Sequence, residues 1–364
     1  MERTELDLAL PDDLQLLQQA VRDFAEAEIA PRHEEIDHAA THPAALVDAM
    51  RDLGLFGVLA PSEHGGAGLG LLAQVVVVEE LARVGGFAAA MVAAHGAALG
   101  ALATGAGDAA AVQALSAGAL GAPAFDETDS GHVGCRAVAD GAGLRLTGRK
   151  TLVPFPGRAA SFVVLAVDAQ QAPVLACVAP DAAGVRHVRA ESGMGLLGLE
   201  GAALELDGAP AARLGGAELV ARTLDDLRIA VAALLAGVAR GAIDHALRYG
   251  QERRQFDRPL LEFGAVQERL ASADARTFAV RASVHAAARL RDRGEPYGLA
   301  AARARRVAGE TAVCAADDAL QVFGGYGYSR EYPAERFYRD ARFTGFGEAR
   351  PAALDAAVVR GLVG

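Results

Sequence analysis

Residues able to do chemistry gather near the C-terminus, in QVFGGYGYSREYPAERFYRDARFTGFGEAR, Gln321 to Arg350. Gly324, Gly325 and Gly327 follow a helical run and let the backbone turn and come close to a ligand, because no Cβ intervenes. Glu348 follows Gly345-Phe346-Gly347, a spacing that predicts a loop, and rigid scaffolds present catalytic groups on loops. A carboxylate in an apolar cleft gains proton affinity by desolvation and becomes a competent general base. A second group is ERRQFDRPL, Glu252 to Leu260, where Arg253 and Arg254 stand at a helix end. A guanidinium there can fork onto phosphate oxygens.

Gln321, Gly324, Gly325, Gly327, Tyr328, Glu331, Arg336 and Asp340 fall at the fixed spacing of a C-terminal signature, and by it the chain resembles the acyl-CoA dehydrogenase family of flavoproteins. The resemblance extends to the loop LGLFGVLAPSEHGGAGLG and to the order of the domains, so it covers nearly the whole chain. It implies FAD as cofactor, an acyl-CoA or other acyl thioester as substrate, and reoxidation by an electron-transfer flavoprotein. The family base often lies shortly after the signature's Arg-Asp, and Glu348 falls there; some members draw it instead from the position of Leu227, which cannot act as a base. Arg228 and Phe346 are assigned by the same resemblance to the substrate side. Arg253 is expected to reach the pyrophosphate of a neighbouring subunit's FAD, with Gln255 and Phe256 lining the site. Gln321, Gly324 and Gly325 would contact the ADP half. The implied assembly is a homodimer or homotetramer, or a heteromer with a paralogue.

The implied reaction is α,β-dehydrogenation: Glu348 removes the α-proton and the β-hydrogen leaves as hydride to flavin N5. Hydrogen bonds from a flavin ribityl hydroxyl and the Glu348 backbone N–H would polarise the thioester carbonyl. Departures from the family pattern lie on the flavin side. In AFDETDSGHV, Glu127 and Gly131 remain, but Asp126 stands where a flavin-facing Thr is usual and His132 replaces a Ser. In KTLVP, Val153 and Pro154 take flavin-facing positions, and Pro154 brings no donor; Arg350 stands where the family approaches the cofactor with Gly-Thr. Each lost hydrogen bond is worth on the order of 1 kcal/mol. Three readings follow: an active dehydrogenase with other polar partners for FAD, an FAD-poor partner subunit of a heteromeric enzyme, or a flavin-dependent monooxygenase of the same superfold. The last needs no Glu base.

The elements that must position these residues read as helix, strand, helix. Residues 1–117 read as an N-terminal helical domain, helical throughout from Pro11, with PDDLQLLQQAVRDFAEAEIAP as one amphipathic helix opening on acids that suit its dipole. Residues 118–215 carry short β-branched runs punctuated by Gly, Asp and Pro, predicting a small antiparallel β domain with a hairpin turn at Asp140-Gly141-Ala142-Gly143. Residues 216–364 form an up-down helical bundle, led by a helix of about thirty residues unbroken by Pro. The fold class is thus mostly α with a central β domain. The glycines of 65–70 follow no strand and lack GxGxxG spacing, so they are no dinucleotide loop.

A net charge of −11 argues against nucleic acid, which demands a basic face. Three distant cysteines form no CxxC pair, so neither zinc nor disulfides are expected, and a reducing cytoplasm fits. The N-terminus lacks a signal pattern. The uncharged stretch Val84–Gly107 is mainly Ala and Gly, which transfers poorly into lipid, and reads as a buried helix and not a membrane span.

Overall fold

The computed structural model describes residues 9–127, 133–189, 193–343 and 351–363. Its layout is a helical N-terminal part, a central sheet and a C-terminal bundle.

The first helix, α1 (Asp12–Phe24), does not run on to residue 30 as expected. A π-helical turn, Ala25–Ile29, and a 3₁₀ turn, Ala30–Arg32, follow it. Pro31 has no N–H to continue the ladder and its ring crowds the preceding turn, so the helix cannot persist there. After α2 (His33–Ala39) and α3 (Ala44–Asp52), the chain enters α4 (Gly70–Ala82) and α5 (Gly86–Thr104), then α6 (Ala109–Ser116). Both α4 and α5 are buried nearly all round, so neither shows the polar stripe of a surface helix. By length and composition α5 could cross a membrane, but 89% of its apolar window is buried inside the molecule. His95 holds it in place: Gly121 N–H donates to Nδ1, and Nε2 donates to the Phe56 carbonyl at 3.1 Å. Burial holds that imidazole neutral, its pKa brought down to about 4.

Two adjacent carboxylates on α4 tie it to its neighbours. Glu79 meets Arg281 and His285 of the C-terminal bundle, while Glu80 meets Arg22 of α1 and Arg240. Burial alone would raise the pKa of Glu80, but the hydrogen bond from Arg22 and the charge of Arg240 bring it down to about 2.

The sheet comprises β1 (Leu120–Ala124), β2 (Arg136–Asp140), β3 (Gly143–Pro154), β4 (Ala159–Val167), β5 (Pro173–Val178), β6 (Val185–Arg189) and β7 (Gly201–Gly215). Strands β4, β2, β3, β7 and β5 pair in a closed circuit, because β5 pairs both β7 and β4. The expected hairpin joins β2 to β3, with Asp140 opposite Gly143 and Gly141 at φ 59° in the turn. The sheet is not wholly antiparallel, however: β1 runs parallel to β4 along its length, and β2 meets β4 in parallel at Arg136–Val167. Joining β1 to a later strand places it beside α5, where Gly121 bonds His95.

The bundle is α7 (Ala217–Glu252), α8 (Gly264–Asp292) and α9 (Gly298–Phe323), followed by α10 (Ala334–Ala341) and α11 (Pro351–Val363). Helix α7 has 36 residues and crosses α4 closely. At Gly237 an added Cβ would lie 2.4 Å from the Glu79 carbonyl oxygen. A two-stranded hairpin, β8 (Arg254–Gln255) with β9 (Arg258–Pro259), joins α7 to α8.

Candidate functional site

At the C-terminal ends of α7 and α9 an open cleft of about 620 Å³ is lined by Tyr249, Arg253, Gln255, Gly324, Gly325 and Tyr326, among others. Four of the sequence-predicted cofactor residues therefore meet in one place. Helix α9 ends because Gly324 takes φ +60°, and a 3₁₀ turn, Gly324–Tyr328, folds the chain back. A Cβ at Gly324 or Gly325 would meet nothing within 4 Å, so both present bare backbone to open space. Gly327 is glycine for a different reason: its Cβ would sit 2.7 Å from the Leu320 carbonyl oxygen.

Arg253 is the residue that terminates α7, and its guanidinium lies 5.7 Å from the Tyr326 ring centroid. It has no carboxylate partner among the described residues, so its charge is available to a ligand. Behind it, Tyr249 stacks on Phe323 at 4.3 Å and Tyr332 packs on both, a rigid aromatic wall. An unneutralised guanidinium, two bare glycines and aromatic faces suit the pyrophosphate and base of an ADP moiety. Phe256 does not line this cleft. Phe256 and Asp257 both have positive φ, 50° and 61°, forming the two-residue turn of the β8–β9 hairpin, and Phe256 stands out from its tip 82% exposed. Gln321 is likewise exposed, on the last turn of α9 beside the cleft.

The middle-domain candidates are differently placed. Asp126 is buried, and its backbone carbonyl accepts from Thr151 N–H. Val153 and Pro154 are covered by the chain itself, opposite Ala202 and Gly201 of β7. Here β3 shifts register, and Leu152 and Phe155 adopt φ 52° and 37°, a strained conformation for such side chains. Gly131 and His132 lie outside the described residues. Sequence reasoning missed Lys150, the chain's only lysine, which is fully buried and paired with Glu127. Glu127 also accepts from the backbone N–H groups of Gly134 and Cys135. The available signal was a lone cation on the inward face of a strand, in phase with Leu144 and Leu146.

Glu348, Phe346 and Arg350 lie outside the described residues, between α10 and α11. The last turn of α10 is bolted to both other parts of the molecule. Arg339 forks onto Asp37 of α2 and Glu335, and the buried Asp340 carboxylate accepts Leu196 N–H at 2.6 Å. Burial pushes Asp340 up to about 6, against the lowering effects of that bond and of Arg336. Beyond the segment, α11 is held to α9 by Asp355–Arg306. Arg228 sits on α7 roughly 37 Å from Arg253 along the helix axis, at 1.5 Å per residue. It pairs with Asp225, a partner that sequence reasoning did not identify. The two arginines therefore serve opposite ends of one helix. Among the described residues no His, Cys, Asp or Glu cluster could hold a metal.

Comparison with known proteins places these features. A model of the acyl-CoA dehydrogenase N-terminal domain matches residues 11–117, and one of the acyl-CoA dehydrogenase C-terminal domain matches residues 215–348. Acryloyl-CoA reductase (NADH) of Anaerotignum propionicum is 33% identical over 367 residues, covering 93% of this chain and 91% of that one. Butyryl-CoA dehydrogenase of Megasphaera elsdenii superimposes with a TM-score of 0.92 at 28% identity, covering 98% of this chain and 100% of that one. A chain in the structure of the electron transferring flavoprotein of Acidaminococcus fermentans gives 0.93 at 30% identity, covering 98% and 99%.

Proposed function

The chain belongs to the acyl-CoA dehydrogenase family, and from that premise we propose that it oxidises the Cα–Cβ bond of an acyl-CoA with Glu348 as the base. It is an oxidoreductase acting on CH–CH groups, with FAD as its cofactor. When bound, FAD supplies the two-electron acceptor for the hydride that leaves the β-carbon. The protein's own part is positioning and proton transfer. Arg253 would hold the pyrophosphate, and Gly324 and Gly325 admit the ligand to bare backbone. Gln255 and Gln321 supply amides at the margin of the same cleft. Because Phe256 projects from the hairpin tip and the cleft is open, a second copy of the chain would complete this site.

Glu348 takes the α-proton, on a segment whose entry is fixed by the Arg339 and Asp340 contacts. Its carboxyl then carries that proton as the unsaturated thioester leaves. Arg228, tied to Asp225, faces the substrate end of α7 in this reading. Electrons pass on to an electron-transfer flavoprotein. The observation that carries the proposal is the convergence of Arg253, Gln255, Gly324 and Gly325 on one cleft, in a chain whose family match runs through to residue 348.

One observation favours a second reading. Pro154 has no N–H and is buried by its own chain, so the flavin ring would find fewer donors than usual. On that reading the chain is an FAD-poor subunit completed by a paralogue. Purification decides between them. Protein that is yellow when expressed alone, and bleached anaerobically by an acyl-CoA from a chain-length panel, supports the dehydrogenase. Colourless protein that gains flavin only on co-expression with a paralogue supports the second.

A further inference from the structure

Lys150 has no task in the proposed chemistry, yet it sits at a junction. A few residues beyond it on β3, Val153 and Pro154 stand at positions that the resemblance assigns to the flavin side. Between Lys150 and Val153 the ladder with β7 is interrupted. Lys150 lies opposite Leu204 and Val153 opposite Ala202, so β3 carries one residue more than its partner over this stretch. Such a bulge re-aims the strand beyond it and leaves the extra residue without a ladder partner. Leu152 takes φ 52° here and is 42% exposed.

Support for the bulge comes from the opposite side. Thr151 N–H donates to the Asp126 carbonyl at 2.9 Å. The Lys150 ammonium donates to the Phe125 carbonyl at 3.4 Å and to the Glu127 carboxylate. The run from Phe125 to Glu127, which carries the flavin-side candidate Asp126, is thereby laid along the bulge. Glu127 also accepts from the N–H groups of Gly134 and Cys135, just before β2. A Cβ at Gly134 would lie 2.8 Å from the Glu127 Oε2, so these segments meet closely.

Stability alone does not account for a lysine at this position. Leu144 and Leu146, in phase with it on β3, are buried and apolar. Replacing a buried ion pair by apolar side chains of similar volume is often neutral or stabilising. What the pair offers beyond that is a fixed point, because an ammonium and a carboxylate with directed donors and acceptors allow fewer arrangements than an apolar contact does. We propose that Lys150 is a positioning residue for FAD, an inference that rests on the flavin-side reading of these residues. Through Glu127 and the Phe125 carbonyl it sets where the bulge places the backbone of Val153 and Pro154, and where Asp126 stands beside them.

FAD affinity and stability are measured separately, on the full-length holoprotein. Release of FAD on dilution is followed by the rise in flavin fluorescence, and urea unfolding is followed at saturating FAD. Lys150→Met is expected to raise the FAD dissociation constant about tenfold or more. The double variant Lys150→Met/Glu127→Gln removes both charges. It should regain most of the stability that Lys150→Met loses, since no buried charge is left unpaired. Its FAD dissociation constant should nevertheless stay raised, and the visible circular dichroism of the bound flavin should differ from wild type in both variants. A pair that only stabilises the fold predicts affinity returning together with stability in the double variant. That result, or a wild-type dissociation constant in Lys150→Met, overturns the proposal. FAD release does not involve proton transfer by Glu348, so either outcome leaves the assignment of the base standing.

Discussion

Without the ammonium of Lys150, the Glu127 carboxylate would keep two backbone donors, Gly134 and Cys135, but no countercharge. Breaking a buried pair from one side costs about 3–5 kcal/mol, because the remaining charge has no water to return to. Lys150→Met is expected to lose stability on that scale in urea unfolding of the FAD-loaded protein; a loss under ~1 kcal/mol would mean that the pair is solvated. Residues differ in how far the sequence exposes them. Arg253, Gly324 and Gly325 could be named in advance because the family resemblance marks their positions, and all three fall at helix ends, where local geometry decides the neighbours. Lys150 could not, since its partner lies on another segment and strand alternation reports only that the side chain points inward. Asp225 was silent for a simpler reason: spacing puts it within reach of Arg228 on one helix face, but does not tell whether that arginine turns to its helical neighbour or to a ligand.

Helices α4 and α7 approach so closely that position 237 has no room for a methyl group. An added Cβ would meet the Glu79 carbonyl oxygen at 2.4 Å and the Ala82 Cβ at 2.6 Å, and backbone cannot step aside as a side chain end can. Gly237→Ala should gain up to ~1 kcal/mol of helix propensity. Overpacking should cost about 1–3 kcal/mol, so a net loss is expected in urea unfolding. A net gain would show that the helices can separate freely. The helices of the bundle were legible because long runs without Pro leave few alternatives, and α7, at 36 residues, is somewhat longer than the roughly thirty expected. The break in α1 was less so, since amphipathic spacing continues through Ile29 while the ladder yields near Pro31. The parallel pairing of β1 with β4 was not legible at all. Strand patterning specifies which face is buried, not which neighbour supplies the hydrogen bonds.

Across the whole molecule, buried imidazoles should set the acid limit of stability. Among the described residues, burial is the leading cause for the three strongly displaced histidines, His33 at about 3 and His95 and His245 at about 4. Each binds its proton less readily folded than unfolded, where the value is about 6.5. The unfolded chain therefore takes up more protons below that point, and stability present above pH ~6.5 is lost as pH falls toward 4. Asp340 works the other way: raised to about 6 from the ordinary carboxylate value, it favours the fold as pH falls through 6. Each histidine is displaced further than Asp340, and there are three, so a net loss wins. Below about 4.5, Glu80 adds to it, because its depressed pKa of about 2 contributes stability that protonation removes. Unfolding free energy should thus decline steadily from pH ~6.5 to 4, and a flat urea midpoint over that interval would refute the assignment.

The same scale holds the functional claim, in which Glu348 takes the α-proton of a thioester seated against its own flavin, while the Arg253 cleft serves the ADP half of a neighbouring subunit's FAD. Rapid anaerobic mixing of FAD-loaded Glu348→Gln with an acyl-CoA that bleaches the wild-type flavin addresses it directly. Bleaching is expected to slow by about 10²–10⁴ or more while the acyl-CoA still binds, as loss of a general base requires. Bleaching at the wild-type rate would contradict the account and place the base elsewhere in the chain.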